Sequence, residues 1–121
     1  LIGFVSRHFP GDWVRVVREA SAAILKGDRP TRLWAAIHPG KGIVGFAHFE
    51  GERFGPIGVA ESERGQGIGQ VLTLNVLRSQ REAGYRSSWF LWSDDRTADR
   101  LYRHFGFREI RRFALLRKEL Q

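Results

Sequence analysis

The 121-residue sequence contains no cysteine, no methionine and only four prolines. Without cysteine, disulfides, thiolate metal sites and cysteine nucleophiles are all excluded. No apolar run approaches the roughly 18 residues that a membrane-spanning helix needs, and no signal-peptide pattern is visible. The expectation is a cytoplasmic protein with no membrane partner. The four histidines, His8, His38, His48 and His104, show no metal-ligand spacing, so no metal is expected. Methionine is missing even at position 1, which reads as a fragment, a processed form or the ordered part of a longer chain. Lysine is scarce as well: only Lys26, Lys41 and Lys118 occur, so the net charge of +7 comes almost entirely from arginine.

What is present points to one packed domain spanning 1–121. Hydrophobic residues make up 42% and aromatics 12% of the chain, enough for a core of its own. The basic residues are spread out, with Arg108, Arg111, Arg112, Arg117 and Lys118 as the densest group. Such a surface suits a polyphosphate ligand or nucleic acid, although a solvated basic face accounts for most of it. No basic motif interleaved with aromatics is visible, so a nucleic-acid partner is not expected.

Taken in order, Leu1–Val5 is apolar and strand-like, though short. Phe9-Pro10-Gly11-Asp12 reads as a turn, with Asp12 capping a helix over 12–26. Trp13, Val16, Val17, Ala20, Ala23 and Ile24 fall on one stripe of that helix, and Gly27-Asp28-Arg29-Pro30 stops it. Thr31–His38, 43–50 and 53–60 form an antiparallel meander, turned at Pro39-Gly40-Lys41-Gly42 and Gly51-Glu52. A helix over about 67–83 follows, with Gly84 as its C-cap, then a buried strand over 87–92. Ala98, Leu101, Tyr102 and Phe105 share a face of the next helix, which Asp94 or Asp95 can cap and Gly106 ends. The last stretch, 107–120, reads as strand. Phe107 and Ile110 cannot share one face of a regular strand, so a bulge or two short strands are expected there.

The chain is organised around 59–72, Val-Ala-Glu-Ser-Glu-Arg-Gly-Gln-Gly-Ile-Gly-Gln-Val-Leu. A strand containing Gly55, Pro56 and Gly58, and therefore bent or bulged, leads into a glycine-rich turn and a helix start. Such a turn aims several backbone N–H groups outward, and the helix start adds roughly half a positive charge. The result is an anion cradle, best suited to a phosphate. The dinucleotide fingerprint fails because its last glycine position holds Gln70. The P-loop fails because Gly69 is followed by Gln70 and Val71 rather than Lys and Ser or Thr.

Arg64, Gly67 and Gly69 instead match Arg/Gln-x-x-Gly-x-Gly/Ala, which resembles the acyl-coenzyme A loop of the GNAT N-acetyltransferase superfamily. Residues 95–107 resemble that family's second signature, Asn-x-x-Ala-x-x-Leu-Tyr-x-x-x-Gly-Phe, with Asp95 in place of the asparagine. The resemblance implies an α+β fold with a mostly antiparallel central sheet flanked by helices. It covers about 10–120 in topology and 54–107 in motifs. The N-terminal region is reduced against the family pattern of one strand and two helices, which puts acceptor choice in doubt. The fragmentary start also suggests one half of a tandem protein.

The resemblance further implies acetyl-coenzyme A as co-substrate. Its pantetheine arm would pair with the backbone of Ile57, Gly58 and Val59. The Val59 amide would hold the thioester carbonyl, an oxyanion-type contact worth roughly 3 kcal/mol. The backbone of Arg64, Gly65, Gln66, Gly67, Ile68, Gly69 and Gln70 would hold the pyrophosphate, with the Arg64 side chain adding charge or bracing the loop. Tyr102 matches the family tyrosine that protonates the departing thiolate. No residue identifies itself as the base: Glu61, Glu63 and His48 lie in the right part of the sequence but read as surface or structural groups. Asp95 reads as a cap rather than a cofactor contact. The implied activity is N-acetylation of a primary amine on a small molecule or protein. The alternative is a non-catalytic domain of the same fold with a structural or regulatory role, in a tandem protein or homodimer.

Overall fold

The computed structural model describes residues 1–9, 11–27, 31–91, 93 and 95–121. Pro10, residues 28–30, Trp92 and Asp94, expected in a turn, a helix stop, a strand end and a cap, lie outside the described residues. The chain opens with α1 (Ile2–His8) and α2 (Trp13–Lys26), then β1 (Thr31–His38), β2 (Gly42–Glu50) and β3 (Arg53–Val59). After a 3-10 turn (Glu61–Glu63) comes α3 (Ile68–Glu82). A short α4 (Asp95–Thr97) continues through a π turn (Ala98–Tyr102) and a second 3-10 turn (Arg103–Phe105).

Leu1–Val5, read as strand-like, is the start of α1. Its apolar residues find partners along a helix, with Phe4 and Val5 buried and the Val5 N–H bonded to the Leu1 carbonyl at 2.9 Å. The Phe4 ring meets Phe9 edge-on at 5.8 Å, and Phe9 meets Phe46 of β2 at 5.6 Å. In α2, Val17, Ala20 and Ala23 are buried as the stripe requires, and the Gly27 N–H bonds the Ala23 and Ile24 carbonyls. Asp12 stands at the N-cap but adopts helical dihedrals (φ −71, ψ −13) rather than the extended ones that aim a cap at the first-turn amides. Its carboxylate pairs instead with Arg15 at 2.8 Å.

The sheet is antiparallel in the order β1-β2-β3. β1 occupies its expected residues, and β2 and β3 differ from expectation by one residue at an end. The anticipated irregularity in β3 is a bulge: Ala47 faces Ile57 and Phe49 faces Phe54, so Gly55 and Pro56 together oppose the single residue His48. One extra residue reverses the alternation of side chains, which lets Phe54 and Ile57 face the same layer. On one face of the sheet α1 and α2 enclose Phe4, Val5, Phe9, Val17, Phe46 and Ala60. On the other, α3 and the π turn enclose Ala47, Phe49, Phe54, Leu72, Val76 and Tyr102. α3 ends at an Ala83 cap, with Gly84, the expected cap, one residue further on at φ +94.

Two expected strands are absent among the described residues. Segment 87–91 makes only one parallel bridge, Trp89 to Arg53, through Phe54 N–H to Trp89 O (2.7 Å) and Trp89 N–H to Glu52 O (3.0 Å). Residues 107–121 form no strand. Phe107 packs against the α3-side core, but Ile110, Phe113, Leu115, Leu116 and Leu120 are exposed. A strand inside a sheet needs a ladder on each edge, and the 107–121 stretch does not supply one to 87–91. Ion pairs hold it instead: Arg112 pairs with Asp95 at 3.0 Å and with Glu109 at 2.9 Å.

Candidate functional site

The site begins where β3 and segment 87–91 separate. They touch at Arg53, Phe54 and Trp89, and beyond Phe54 the outer edge of β3 has no strand beside it among the described residues. The register fixes which backbone groups that edge offers. The Ala60 N–H bonds the Val44 carbonyl at 2.8 Å, and Gly58 faces Phe46 in the same register. In an antiparallel ladder each residue sends its N–H and C=O to one side and the next residue to the other. Gly58 and Ala60 therefore turn toward β2, while Ile57 and Val59 present their groups to the open edge. The open edge thus carries two of the three residues anticipated for it. Gly58 serves the strand differently: a Cβ there would lie 2.5 Å from Cζ of Phe9, so only glycine lets that ring pack beneath β3.

From this edge the chain turns through the 3-10 helix into the glycine loop. Arg64 is extended (ψ 159), and its Nε donates to the Val59 carbonyl at 3.2 Å, so its side chain braces the loop against the strand end. Gly65 (φ +81) and Gly67 (φ +82) take left-handed conformations that L-residues avoid, and a Cβ at either would meet nothing within 4 Å. The loop is therefore open above its backbone. Gly67 is the N-cap of α3, and the first helical bond runs from the Val71 N–H to the Gly67 carbonyl at 3.1 Å. The amides of Ile68, Gly69 and Gln70 then have no acceptor within the helix. With the helix dipole behind them they favour an anion.

The second motif reaches the first at Gly69. A Cβ on Gly69 would lie 3.8 Å from Cδ2 of Leu101 and 4.0 Å from Cγ2 of Val59, so the π turn packs over the helix start and the strand end together. Tyr102, one residue on, is 6% exposed. Its ring lies 6.1 Å from Phe54 of β3 and 4.2 Å from Phe90 of the diverging segment. It thus packs against both walls at the point where they part. Asp95 does not join the loop: its carboxylate binds Arg112 through two hydrogen bonds, of 3.0 and 3.2 Å, which hold it below the usual carboxylate range.

The three base candidates divide clearly. Glu61 is exposed. Glu63 is only 4% exposed, and its carboxylate accepts from Lys41 Nζ and, at 3.1 Å, from Gln66 Nε2. Those two bonds, Lys41 first, keep it below the ordinary carboxylate range. The spacing of Lys41 in a hairpin turn gave no sign of this contact across 22 positions. His48, 6% exposed, sits opposite the bulge. Its Nδ1 donates to the Gly55 carbonyl at 2.9 Å, and its Nε2 lies 2.7 Å from the Thr31 hydroxyl. Among the described residues, no group of three His, Asp or Glu could hold a metal ion, and no helix is long and apolar enough to cross a membrane.

The burial of His48 predicts a pH dependence of stability. Burial pushes its imidazole below the ordinary value of 6.5; the Gly55 bond and Glu50 oppose this, and Arg53 adds to it. A histidine with a depressed folded value is held neutral, so its contribution is complete above the unfolded value and is lost as pH falls from there through the folded value. Thermal stability should therefore decline from about pH 7.5 to about pH 5.5, and His48→Gln should flatten that decline. Melting curves of the two proteins across this range are the check, and identical slopes would remove His48 as the cause.

The family model described as "Acetyltransferase (GNAT) domain" matches residues 29–109, more than half of the sequence. The chain belongs to the GNAT acetyltransferase family. Among solved structures it is similar to the aminoglycoside acetyltransferase AAC(6')-Iy bound to a coenzyme A bisubstrate analog, at 21% identity and a TM-score of 0.76. That match covers 98% of this chain and 89% of the other. A second structure of AAC(6')-Iy, with coenzyme A, aligns at 22% identity and a TM-score of 0.74, over 98% of this chain and 86% of that one. A Trypanosoma brucei acetyltransferase aligns at 22% identity and 0.66, over 84% of this chain and 79% of its own. At such identities the likeness is one of fold. No curated protein matches the sequence.

Proposed function

We propose that the protein transfers an acetyl group from acetyl-coenzyme A to a primary amine. The observation that carries this reading is the parting of β3 from segment 87–91 immediately before the glycine turn that starts α3. The open edge at Ile57 and Val59 suits an extended amide-bearing arm such as pantetheine. The amides of Ile68, Gly69 and Gln70, with the loop from Arg64 to Gly67, suit the diphosphate. The coenzyme A ligands in the AAC(6')-Iy structures lend the same reading support through a shared fold.

The Val59 amide faces the open edge and is the donor assigned to the thioester oxygen. The amine nitrogen forms a bond to the thioester carbon as the carbon–sulfur bond breaks. The sulfur leaves as thiolate and takes the phenolic proton of Tyr102, while the proton shed by the acylated nitrogen passes to water, from which the phenolate is reprotonated. The Tyr102 position between Phe54 and Phe90, at the root of the divergence, supports this role.

Turnover of acetyl-coenzyme A over a panel of small and peptide amines, read as released thiol, tests the reading. Amine-dependent release is expected. Tyr102→Phe should lower kcat by about ten- to a hundredfold and leave coenzyme A affinity within about twofold. Equal kcat would take Tyr102 out of the mechanism. No binding of acetyl-coenzyme A at millimolar concentration would sink the activity altogether.

A further inference from the structure

Glu63 puts a buried negative charge directly before a loop suited to binding phosphates. Its side chain is 5% exposed, whereas its partner Lys41, in the turn between β1 and β2, is 58% exposed. Gln66 Nε2 donates both to the Glu63 carboxylate (3.1 Å) and to the Glu63 carbonyl (3.4 Å), closing a small ring of contacts around Gly65. The turn carrying Lys41 is itself set by the Gly40 N–H to His38 Nδ1 (3.0 Å) and the Lys41 N–H to the His38 carbonyl (3.3 Å). Nothing local in the sequence joins these segments; the carboxylate does.

We propose that Glu63 is the positioning residue of the glycine loop and that Lys41, held by it, makes the 38–42 turn a second, cationic wall of the diphosphate site. This rests on the reading of the loop as the coenzyme A cradle. An ammonium has three donors. Glu63 takes one of them, and the Lys41 side chain stays more than half exposed, so its remaining donors are assigned to a phosphate oxygen. The carboxylate, neutralised by Lys41 and fixed by Gln66, sets where both partners stand. Its own charge would otherwise work against an anion.

That opposition gives the test its sign. If Glu63 acted only through its charge, Glu63→Gln would tighten coenzyme A binding. If it acts by positioning, the same change weakens binding. Calorimetric titration with coenzyme A should show a Kd raised about tenfold by Glu63→Gln and about tenfold by Lys41→Met. The double variant should be no weaker than either single one, because the two residues act as a unit. KM for acetyl-coenzyme A should rise in step while kcat holds, and Lys41→Arg should restore binding to within about threefold. Tighter or unchanged binding in Glu63→Gln, unchanged binding in Lys41→Met, or multiplied effects in the double variant would each overturn the proposal. Lys41 is largely exposed, so Lys41→Met decides the matter even where Glu63→Gln fails to fold. Failure of the wild type to bind coenzyme A brings down the cradle reading and this proposal together; binding by the wild type with silent variants brings down this proposal alone.

Discussion

Gly67→Glu should abolish measurable coenzyme A binding, a loss of more than about a hundredfold, with the fold retained. Gly67 caps α3 at φ +82, and the space a Cβ would enter is empty. The left-handed strain on an L-residue there costs about 1–2 kcal/mol. A carboxylate at a helix N-terminus offsets part of that cost. Stability is therefore only modestly changed. Affinity is not: the new carboxylate sits among the amides of Ile68, Gly69 and Gln70, where the diphosphate would otherwise bind, and competes from within the molecule. Gly67→Asn is the control. Asparagine tolerates the left-handed region and adds no charge, so binding should stay within about tenfold. Calorimetric titration of the three proteins with coenzyme A, beside their melting curves, separates the two effects. Wild-type affinity in Gly67→Glu would show that the loop is not the anion site.

The largest loss of stability is expected at Phe54. Its side chain is 2% exposed and meets Phe90, Tyr102 and Phe107 at 6.1, 6.1 and 6.2 Å. Its backbone N–H donates to the Trp89 carbonyl at 2.7 Å, a bond that pins β3 to segment 87–91. Phe54→Ala removes a buried aromatic and leaves a cavity, at a cost of about 3–5 kcal/mol. The melting temperature should drop by more than about 10 °C. Tyr102 loses the wall it packs against, so turnover should fall in whatever fraction remains folded. Leu115→Ala provides the contrast: that side chain is fully exposed, so its removal should change stability by less than about 0.5 kcal/mol. Denaturant unfolding of both variants is the check, and a Phe54→Ala loss below about 1 kcal/mol would mean that the aromatic cluster is not cooperative.

What could be read from the sequence was what short stretches decide by themselves. The β1 strand ends where expected because the Pro39-Gly40 turn follows it. α2 was marked by its apolar stripe and Gly27, and the glycine turn by residues whose backbone demands are local. α1 was missed because five apolar residues at a chain start satisfy either period, and only packing of Phe4 and Phe9 against Phe46 decides between them. Segments 87–91 and 107–121 have strand-like composition, but a ladder depends on a partner elsewhere in the chain. In the site, the open edge at Ile57 and Val59 and the place of Tyr102 were legible through two motifs. The Arg64 brace was one of the two roles its motif position offered, and the hydrogen bond to Val59 selects it. The inward turn of Gly58 and the Lys41–Glu63 contact were not legible, since the one follows from register and the other joins residues far apart.

The extra residue at Gly55-Pro56 also sets how this strand tolerates change in length. Because it reverses alternation between Phe54 and Ile57, losing it would leave the strand out of phase with itself. Either Phe54 would leave the aromatic cluster, or Ile57 and Val59 would turn toward β2 and Gly58 would face outward in their place. A one-codon deletion here would exchange the inner and outer faces of a whole edge, which no single substitution along it does. Divergence within β3 should therefore proceed by replacement at constant length, while the exposed 108–121 stretch remains free to vary in both.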